Sequence, residues 1–408
     1  TKGKTTPAWL LHAILDAATG GRCALLSSVA NTVDGHTMQE SSLTTPESLD
    51  AMRMMRQAVA NGMTHLVMEV SSQAYKVHRV DALTFDAGAF LNISPDHISP
   101  IEHPTFEDYL YCKRRIVTHS RRLVLGADSA HADLLRQDAH AAGIPVTTFA
   151  LHDARRHTPA DITVKPLHED SSFSISLGAS GGSRVFDLHP SMPGEVNALN
   201  AAAAVSLALA VGVEPEGLAP ALHAMERVTV PGRMERLISP DGIIGYVDFA
   251  HNGSSTAALL DYVADRYGNR NPRVILVTGS AGGKAIDRRR EIVQAAQGRV
   301  ESYVFTLDDP NFEDPRDIAE AMQSEVHDQS ARTTIVIPRE DAIHEAVADA
   351  RRHPSRFNVI LVIGKGEETC NIIRGEKVPY AGDAAILGRE LDSGADRHAD
   401  GAGPVEGS

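Results

Sequence analysis

The sequence predicts an α/β protein of two domains, each built on a mostly parallel β-sheet. Three observations support this prediction: the chain has 408 residues, short apolar runs alternate with longer helical patterns, and the alternation restarts after Gly232. A single hydrophobic core stops growing at about 250–300 residues, so a chain of this length divides. Strands that alternate with helices are typical of parallel sheets covered by helices.

In the first half of the chain, the elements follow from apolar periodicity. A helix begins near Pro7, because Leu11, Ile14, Leu15 and Ala18 recur at helical spacing. The further elements are predicted as strands over 23–28, 65–70, 86–91 and 122–125, helices over 46–61, 105–118 and 197–211, and a hairpin within 161–177 around the polar turn 168–171.

After Gly232 the pattern of a second sheet begins. Pro240, Asp241 and Gly242 form a turn signal between two apolar runs, which predicts a hairpin. The strands that follow are predicted over 274–278, 303–307, 334–337 and 359–363, with helical stretches between them. From Asp392 the chain lacks apolar periodicity, so the composition predicts a disordered tail.

Composition and charge exclude several classes of protein. The chain is 42% hydrophobic and 23% charged, and no apolar run approaches the roughly 18 residues of a membrane span. It has 39 basic and 53 acidic residues, a formal charge of -14, which argues against general nucleic-acid binding. Cys23, Cys112 and Cys370 lack metal-ligand spacing, so we expect a protein of the reducing cytoplasm.

The opening residues resemble the end of a phosphate-binding loop. Gly3, Lys4, Thr5 and Thr6 lead directly into the first predicted helix. Backbone N–H groups at a helix N-terminus bind phosphate, a lysine reaches the terminal phosphates, and a threonine hydroxyl binds Mg²⁺. A chance tripeptide with a solvated lysine is the alternative. Because the preceding strand and glycine of such a loop are not in the sequence, we expect the chain to be a fragment.

Polar side chains follow two predicted strands. Glu69, Ser71 and Ser72 come at the end of the strand over 65–70, and His97 follows the strand over 86–91. Open α/β sheets bind ligands at the carboxyl ends of their strands, and carboxylates are typical Mg²⁺ ligands. Alternatively, Glu69 caps a helix and His97 lies in a surface loop.

Several segments together resemble one family, the ATP-dependent Mur ligases, and within it the MurE type. These segments are Thr-Lys-Gly-Lys-Thr-Thr at 1–6, Thr-Thr-Pro-Glu at 44–47, Met-Glu-Val-Ser-Ser at 68–72, Asn-Ile-Ser-Pro-Asp-His at 92–97, Tyr109 with Lys113, Asn197 with Asn200, Pro-Gly-Arg-Met-Glu at 231–235, Asp-Phe-Ala-His-Asn at 248–252, Asp-Asp-Pro-Asn at 308–311, and Gly-Lys-Gly at 364–366. They occur in the order that the family shows.

This resemblance implies a fold and an activity. Residues 1–232 would form a central P-loop-type ATPase domain, residues 233–390 a C-terminal Rossmann-like domain, and residues 391–408 a disordered tail, with the family's N-terminal UDP-binding domain lacking. ATP and Mg²⁺ would be the cofactors. The enzyme would phosphorylate the carboxylate of UDP-MurNAc-L-Ala-D-Glu, and an amino acid would displace phosphate from the acyl phosphate. We expect a monomer without nucleic-acid or membrane partners.

The resemblance also implies roles for individual residues. ATP contacts are implied for Gly3, Lys4, Thr5, Thr6, Asn200, Arg233 and Asp248; contacts with the muramoyl dipeptide for Thr44, Thr45, Ser72 and Arg79; contacts with the amino acid for Asp308, Asp309, Asn311, Gly364 and Glu368; metal ligation for Thr5, Glu69, His97 and a carbamate on Lys113; and catalytic roles for Lys4, Lys113 and His251. A carbamate would reverse the charge of Lys113 beside Mg²⁺.

Alternatives remain for several of these residues. Lys113 is otherwise a surface lysine, Asn200 a solvated helix residue, and Arg233, Asp248 and His251 members of a hinge salt-bridge network. For the whole chain, one alternative is a ligase of the same superfamily with another substrate: a ligase that adds meso-diaminopimelate, a Mur ligase of a different step or a folylpolyglutamate synthase. The other alternative is a nucleotide-binding module without catalysis.

One departure from the family pattern concerns the amino acid. MurE enzymes that add meso-diaminopimelate carry Asp-Asn-Pro-Arg, whose arginine pairs with the extra carboxylate, whereas this chain has Asn311 in place of the arginine. Glu367 and Glu368 add negative charge in the later motif. The resemblance therefore implies an enzyme that adds L-lysine.

Overall fold

The computed structural model describes residues 3–95, 98–99, 102–152, 159–167, 172–178, 184–283 and 286–393. The chain divides into two compact units, Thr1–Val230 and Pro231–Ser408. Residues 394–408 of the predicted tail and the predicted turn at 168–171 lie outside the described residues. Among the helices of the described ranges, none combines the length and the apolar composition that a bilayer span requires.

The described residues of the first unit form two sheets. The four-stranded sheet has the order β3-β2-β1-β4, with β1 at Cys23–Leu26, β2 at Ala30–Thr32, β3 at Gln39–Glu40 and β4 at His65–Met68. Strands β1 and β4 are parallel, whereas β2 and β3 are antiparallel to their neighbours. Every residue of β1 is buried, which explains its uninterrupted apolar sequence.

The second sheet of this unit has six strands in the order β10-β9-β8-β7-β6-β5. They are β5 at Gly88–Phe90, β6 at Leu123–Gly126, β7 at Val146–Leu151, β8 at Ile162–Pro166, β9 at Phe173–Leu177 and β10 at Arg184–Leu188. Strands β5 to β8 are parallel. The predicted hairpin within 161–177 is confirmed, because β8 and β9 pair antiparallel with Ile162 opposite Leu177.

Seven helices occur among the described residues of the first unit. They are α1 at Thr5–Thr19, α2 at Ser48–Ala60, α3 at Ser72–Lys76, α4 at Phe106–Arg114, α5 at Ala132–Ala141, α6 at Glu195–Ala210 and α7 at Pro215–Glu226. Helix α1 buries Leu11 and Ile14 in the core that it shares with the alanine-rich α6. Trp9 of α1 donates an indole hydrogen bond to Ser27 Oγ at 3.1 Å.

The second unit has a six-stranded sheet in the order β11-β12-β16-β13-β14-β15. Its strands are β11 at Glu235–Ile238, β12 at Ile244–Asp248, β13 at Arg273–Thr278, β14 at Ser302–Phe305, β15 at Arg332–Ile335 and β16 at Asn358–Ile363. Strands β11 and β12 form the predicted antiparallel hairpin, and the other pairs are parallel. A separate hairpin joins β17 at Cys370–Ile373 to β18 at Glu376–Pro379.

Helices cover both faces of this sheet. They are α8 at Gly253–Tyr267, α9 at Asp287–Ala296, α10 at Pro315–Ser324, α11 at Arg339–Arg351 and α12 at Asp383–Asp392. One core packs α8, α9 and α10 against the strands, and the other packs α11 and α12. The predicted α/β class with mostly parallel sheets is therefore confirmed.

Candidate active site

The N-terminus of α1 contacts the carboxylate that follows β4. Thr5 Oγ donates a hydrogen bond to Glu69 Oε2 at 3.0 Å, and both residues are buried. Asn200 of α6 lies beside Gly3, since a Cβ built on Gly3 would be 3.0 Å from Asn200 Oδ1. Thr6 is buried in the first turn of α1. The structure therefore brings Gly3, Thr5, Glu69 and Asn200 into one region.

Hydroxyl groups of the chain hold Glu69 and the loops around it. Ser28 donates to the Glu69 carboxylate through its backbone N–H at 2.8 Å and through Oγ at 3.3 Å. Ser28 Oγ also lies 3.0 Å from Thr44 Oγ. Thr45 Oγ donates to the Glu69 carbonyl at 2.9 Å and accepts from the Ser71 N–H at 3.0 Å. These bonds connect the predicted dipeptide-binding threonines with the predicted metal ligand.

Arg79 extends this region from the end of α3. Its guanidinium donates to the Thr45 carbonyl at 3.1 Å and to Glu47 Oε1 at 2.5 Å. The Nε–H of the same guanidinium is buried and has no hydrogen-bond partner among the described residues. Arg79 therefore holds the predicted dipeptide loop at its backbone.

A cleft beside α1 collects three further predicted residues. Its lining includes Lys4, Ser72 and Lys113, together with Asn92 and Tyr75. The Lys113 ammonium lies 5.0 Å from the centroid of the Tyr109 ring, which places it for a cation–π contact. With Lys113 as an unmodified ammonium, the cleft has two cationic side chains and a hydroxyl, which are suited to bind an anion. His97, the remaining predicted metal ligand, lies outside the described residues.

In the second unit, the residues after β12 form a polar cluster. Asp248 accepts hydrogen bonds from the N–H groups of Met234 and Ala250 at 2.7 and 2.8 Å. Burial raises the pKa of Asp248, although the Arg233 guanidinium opposes this shift. His251 Nδ1 lies 2.7 Å from the Phe249 carbonyl.

Arg233 contacts this cluster from the start of the unit. Its guanidinium carbon lies 4.3 Å from the centroid of the Phe249 ring, and its NH1 pairs with Glu367. The direct ion-pair partner of Arg233 is thus Glu367, and Asp248 accepts from backbone groups instead. Arg233 and His251 both contact Phe249, and Asp248 accepts from the residue that follows Arg233, so the three residues lie in one cluster.

The predicted amino-acid residues lie at the carboxyl ends of β14 and β16. Lys365 is 0% exposed, and its Nζ donates to Asp309 Oδ1 at 2.8 Å and to Glu368 Oε2 at 2.7 Å. Burial raises the pKa of Asp308, against the opposing effects of Arg339 and Lys365. Asp309 and Glu368, which the resemblance predicts to contact the substrate, are therefore both paired with the ammonium of Lys365.

Asn311 and Gly364 complete this cluster. Asn311 Nδ2 donates to the carbonyls of Gly282 and Asp309 at 2.9 and 3.0 Å. The Gly364 N–H donates to the Asp248 carbonyl at 3.2 Å, and the Gly364 backbone lies against the Asp308 carboxylate. The amide of Asn311 is thus used to hold its own loop to the loop that follows β13.

Several residues of these sites had no assigned role from the sequence. Ser28 bonds Glu69, His103 lies 3.0 Å from Ser72 Oγ, and Lys365 neutralises Asp309. No local pattern marks the first two, because their partners are 41 and 31 residues away in sequence. Lys365 lies within a recognised motif, but its complete burial is a property of the fold alone.

Comparison with known proteins identifies the family models that the chain matches. Residues 1–208 match the Mur ligase middle domain, and residues 232–366 match the Mur ligase, glutamate ligase domain. The chain is 54% identical over 392 residues to a UDP-N-acetylmuramyl-tripeptide synthetase of Bifidobacterium longum, covering 95% of this chain and 75% of the relative. It is 41% identical over 387 residues to the UDP-N-acetylmuramoyl-L-alanyl-D-glutamate--L-lysine ligase of Enterococcus faecalis, covering 95% and 74%.

Solved structures share the fold at lower sequence identity. A UDP-N-acetylmuramoyl-L-alanyl-D-glutamate--2,6-diaminopimelate ligase aligns with a TM-score of 0.63 and 23% identity, covering 97% of this chain and 77% of that one. The folylpolyglutamate synthase of Mycobacterium tuberculosis aligns with a TM-score of 0.67 and 19% identity, covering 99% and 90%. At these identities the similarity establishes the fold alone.

Proposed function

The chain belongs to the Mur ligase family, whose members are ATP-dependent amide ligases, and on that premise we propose that it adds L-lysine to UDP-MurNAc-L-Ala-D-Glu in peptidoglycan precursor synthesis. We propose the first unit as the ATP-binding domain and the second as the amino-acid-binding domain. The observation that carries the proposal is the contact of Thr5 with Glu69 at the start of α1, beside the cleft lined by Lys4 and Lys113.

The start of α1 supports phosphate binding. The first N–H groups of a helix have no partners within it, and its dipole favours an anion at that end. Lys4 precedes the helix and lines the cleft, so its ammonium would bind the terminal phosphates of ATP. Gly3 and Asn200 would contact the nucleotide beside it, and Thr6 would contribute its N–H.

The donor set around Glu69 fits Mg²⁺. A threonine hydroxyl and a carboxylate are hard oxygen ligands, the type that this ion prefers, and Thr5 Oγ and Glu69 Oε2 lie 3.0 Å apart. We propose both as ligands, together with His97 and a carbamate on Lys113. When bound, Mg²⁺ would neutralise charge on the transferred phosphoryl group.

Thr44, Thr45, Ser72 and Arg79 would bind the muramoyl dipeptide. In the proposed reaction, a carboxylate oxygen of D-glutamate attacks the terminal phosphorus of ATP, ADP leaves, and an acyl phosphate forms. The amine of the incoming amino acid attacks the acyl carbon, and phosphate leaves as the amide forms. Lys4 would supply a positive charge, and a carbamylated Lys113 would supply a negative charge near the metal.

In the second unit, Arg233, Asp248 and His251 are proposed as residues that contact the nucleotide. His251 is proposed as a catalytic residue, because an imidazole suits proton transfer near neutral pH. Its Nδ1 is close to the Phe249 carbonyl, which orients the ring. We also propose that the enzyme is a monomer.

The loops after β14 and β16 support L-lysine as the amino acid. Around these loops four carboxyl groups face two cationic side chains, so an added ammonium would improve the local charge balance. The carboxyl groups are those of Asp308, Asp309, Glu368 and Asp383, and the cations are Lys365 and Arg339. The extra carboxylate of meso-diaminopimelate would instead meet Asp309 without an arginine at position 311 to pair with. Gly364, whose backbone lies against the Asp308 carboxylate, would form part of this amino-acid site.

The experiment is a comparison of kcat/KM for the two amino acids, measured as ADP release with the full gene product and the UDP-linked dipeptide. A desolvated bidentate pair is worth about 2–5 kcal/mol, so L-lysine should be preferred at least about 30-fold. Asn311→Arg should reduce this preference, whereas Arg316→Lys on the surface helix α10 should leave it unchanged. Comparable values for the two amino acids in the wild type would contradict the assignment of lysine.

A further inference from the structure

A chain of hydrogen bonds leads from the cleft through a buried histidine to a half-buried ion pair. Ser72 Oγ lies 3.0 Å from His103 Nε2, and His103 Nδ1 lies 2.7 Å from Asp108 Oδ2. Asp108 in turn accepts from Lys76 Nζ at 2.8 Å. Three elements contribute to this chain: α3 carries Ser72 and Lys76, α4 carries Asp108, and the segment before α4 carries His103.

Burial fixes this arrangement. His103 is 1% exposed and Ser72 is 7% exposed, and the imidazole also packs against the Tyr109 ring at a centroid distance of 5.1 Å. Lys76 and His103 hold the pKa of Asp108 below its usual value, so the carboxylate is an anion that accepts both bonds. A buried hydroxyl with one fixed partner has a single favourable orientation.

His103 also belongs to a group of side chains whose spacing is compatible with a metal site. The ligand atoms of His103, Asp108 and Cys112 all lie within 4.8 Å of one another. However, both imidazole nitrogens already have hydrogen-bond partners, Asp108 on one side and Ser72 on the other. The geometry thus favours the orientation of a hydroxyl over the binding of a cation.

We propose that His103 is a positioning residue that, held by Asp108, fixes the Ser72 hydroxyl toward the muramoyl dipeptide in the cleft. With a neutral ring, Asp108 accepts from Nδ1–H and Nε2 accepts from the Ser72 hydroxyl; with a protonated ring, Nε2–H donates to Ser72 Oγ. In both cases His103 acts through Ser72 and holds its oxygen in one place. This proposal rests on the proposed function, because it names a residue that supports the dipeptide contact.

The test is a double-mutant cycle on the full gene product, with ADP release as the assay. His103→Ala should raise KM for the UDP-linked dipeptide about five- to tenfold, the value of one oriented hydrogen bond, and leave KM for ATP unchanged. In a Ser72→Ala background, His103→Ala should cost nothing further. His103→Gln, whose amide reaches the position of Nε2, should restore most of the affinity.

His119→Ala is the matched control. His119 is also a buried histidine of the first unit, with its Nδ1 2.9 Å from the Arg115 carbonyl. Its removal should lower the melting temperature without a change in KM for the dipeptide. Asp108→Asn, an isosteric change at a half-buried site, repeats the test if the His103 variants do not fold, and it should raise the same KM.

The outcomes separate the two proposals. Additive losses in the Ser72→Ala background, or a KM for the dipeptide that His103→Ala and Asp108→Asn leave unchanged, overturn the positioning role while the wild type stays active. A wild-type protein that releases no ADP in response to dipeptide and amino acid overturns the proposed function, and the positioning role with it. Non-additive losses with rescue by glutamine support the positioning role.

Discussion

Arg339 should be the side chain on which the second unit depends most. It is 0% exposed, as is its partner Asp383, and the two form a bidentate pair with both N···O distances at 2.7 Å. The guanidinium also donates to the carbonyls of Leu307 and Ile363 at 3.2 and 2.8 Å. Replacing Arg339 with a shorter side chain therefore removes all four of these hydrogen bonds.

The expected loss of stability in Arg339→Met follows from the burial of this ion pair. Arg339→Met leaves Asp383 as a buried carboxylate whose remaining donor is the Tyr380 hydroxyl at 2.7 Å, and loss of one partner of a buried pair costs about 3–5 kcal/mol. Adding Asp383→Asn should recover part of this loss, with an interaction energy of about 1–3 kcal/mol in the double-mutant cycle.

The matched control is Arg389→Met. Arg389 also forms an ion pair, with Glu340 at 2.5 Å, but the two side chains are 57% and 52% exposed. Exposed pairs of this kind contribute about 0–1 kcal/mol. The two substitutions remove the same chemical group, so the difference between them isolates the effect of burial.

Hydrogen exchange measured by mass spectrometry suits this test, because a chain with two units need not unfold in one step. Peptides from β14 and β16 should lose protection in Arg339→Met and keep it in Arg389→Met. The loops that begin at Leu307 and Ile363 carry the proposed lysine-binding residues, so KM for L-lysine should rise in the surviving enzyme. Equal losses of protection in the two variants would refute the argument from burial.

Three further predictions concern single residues. Lys113→Ala and Lys113→Arg should both lower kcat for ADP release by orders of magnitude, and a small carboxylic acid should restore part of the alanine variant, because a carbamate supplies an anion. Gly232→Ala should lower the melting temperature more than Gly242→Ala: both have positive φ, but a Cβ on Gly232 would lie 2.1 Å from the Glu367 backbone nitrogen and one on Gly242 would meet nothing within 4 Å. Burial raises the pKa of Cys23 to about 12, above the value of about 8.5 in an unfolded chain, so the unfolded state loses its proton first and stability should fall as pH rises between these values. The unfolding free energy of Cys23→Ala, measured across that range, should fall less steeply.

The buried parallel strands were the most predictable part of the fold. The strand predicted over 359–363 appears as Asn358–Ile363, and that over 274–278 as Arg273–Thr278, because long apolar runs have one stable place in such a sheet. The strand predicted over 334–337 lies two residues earlier, at Arg332–Ile335. None of its residues is buried, so apolar periodicity gave little information about its register.

Helix ends and sheet number were less predictable. The helix predicted over 105–118 ends at Arg114, because the next three N–H groups, those of residues 115–117, bond carbonyls three residues back in place of four. The division of the first unit into two sheets also has no signal in the sequence, because β4 and β5 each read as an ordinary strand.

For the candidate site, strand ends and motifs predicted which residues would gather, but not how they pair. Glu69 follows a predicted strand and lies beside Thr5. By contrast, Lys365 and Glu368 carry opposite charges only three residues apart, and burial makes them partners of each other as well as of Asp309. Residue roles at this level depend on distances that the sequence does not contain.

Trp9 gives the first unit a spectroscopic label of its own. It is the only tryptophan in the chain, and its indole N–H bonds Ser27, the neighbour of the serine that donates to Glu69. Indole emission depends on the polarity and hydrogen bonding around the ring, so excitation at wavelengths that tyrosine does not absorb reports on α1 and β1 alone. Titration of ATP or of the UDP-linked dipeptide can thus be followed in this unit by fluorescence, without a dye and without any signal from the second unit.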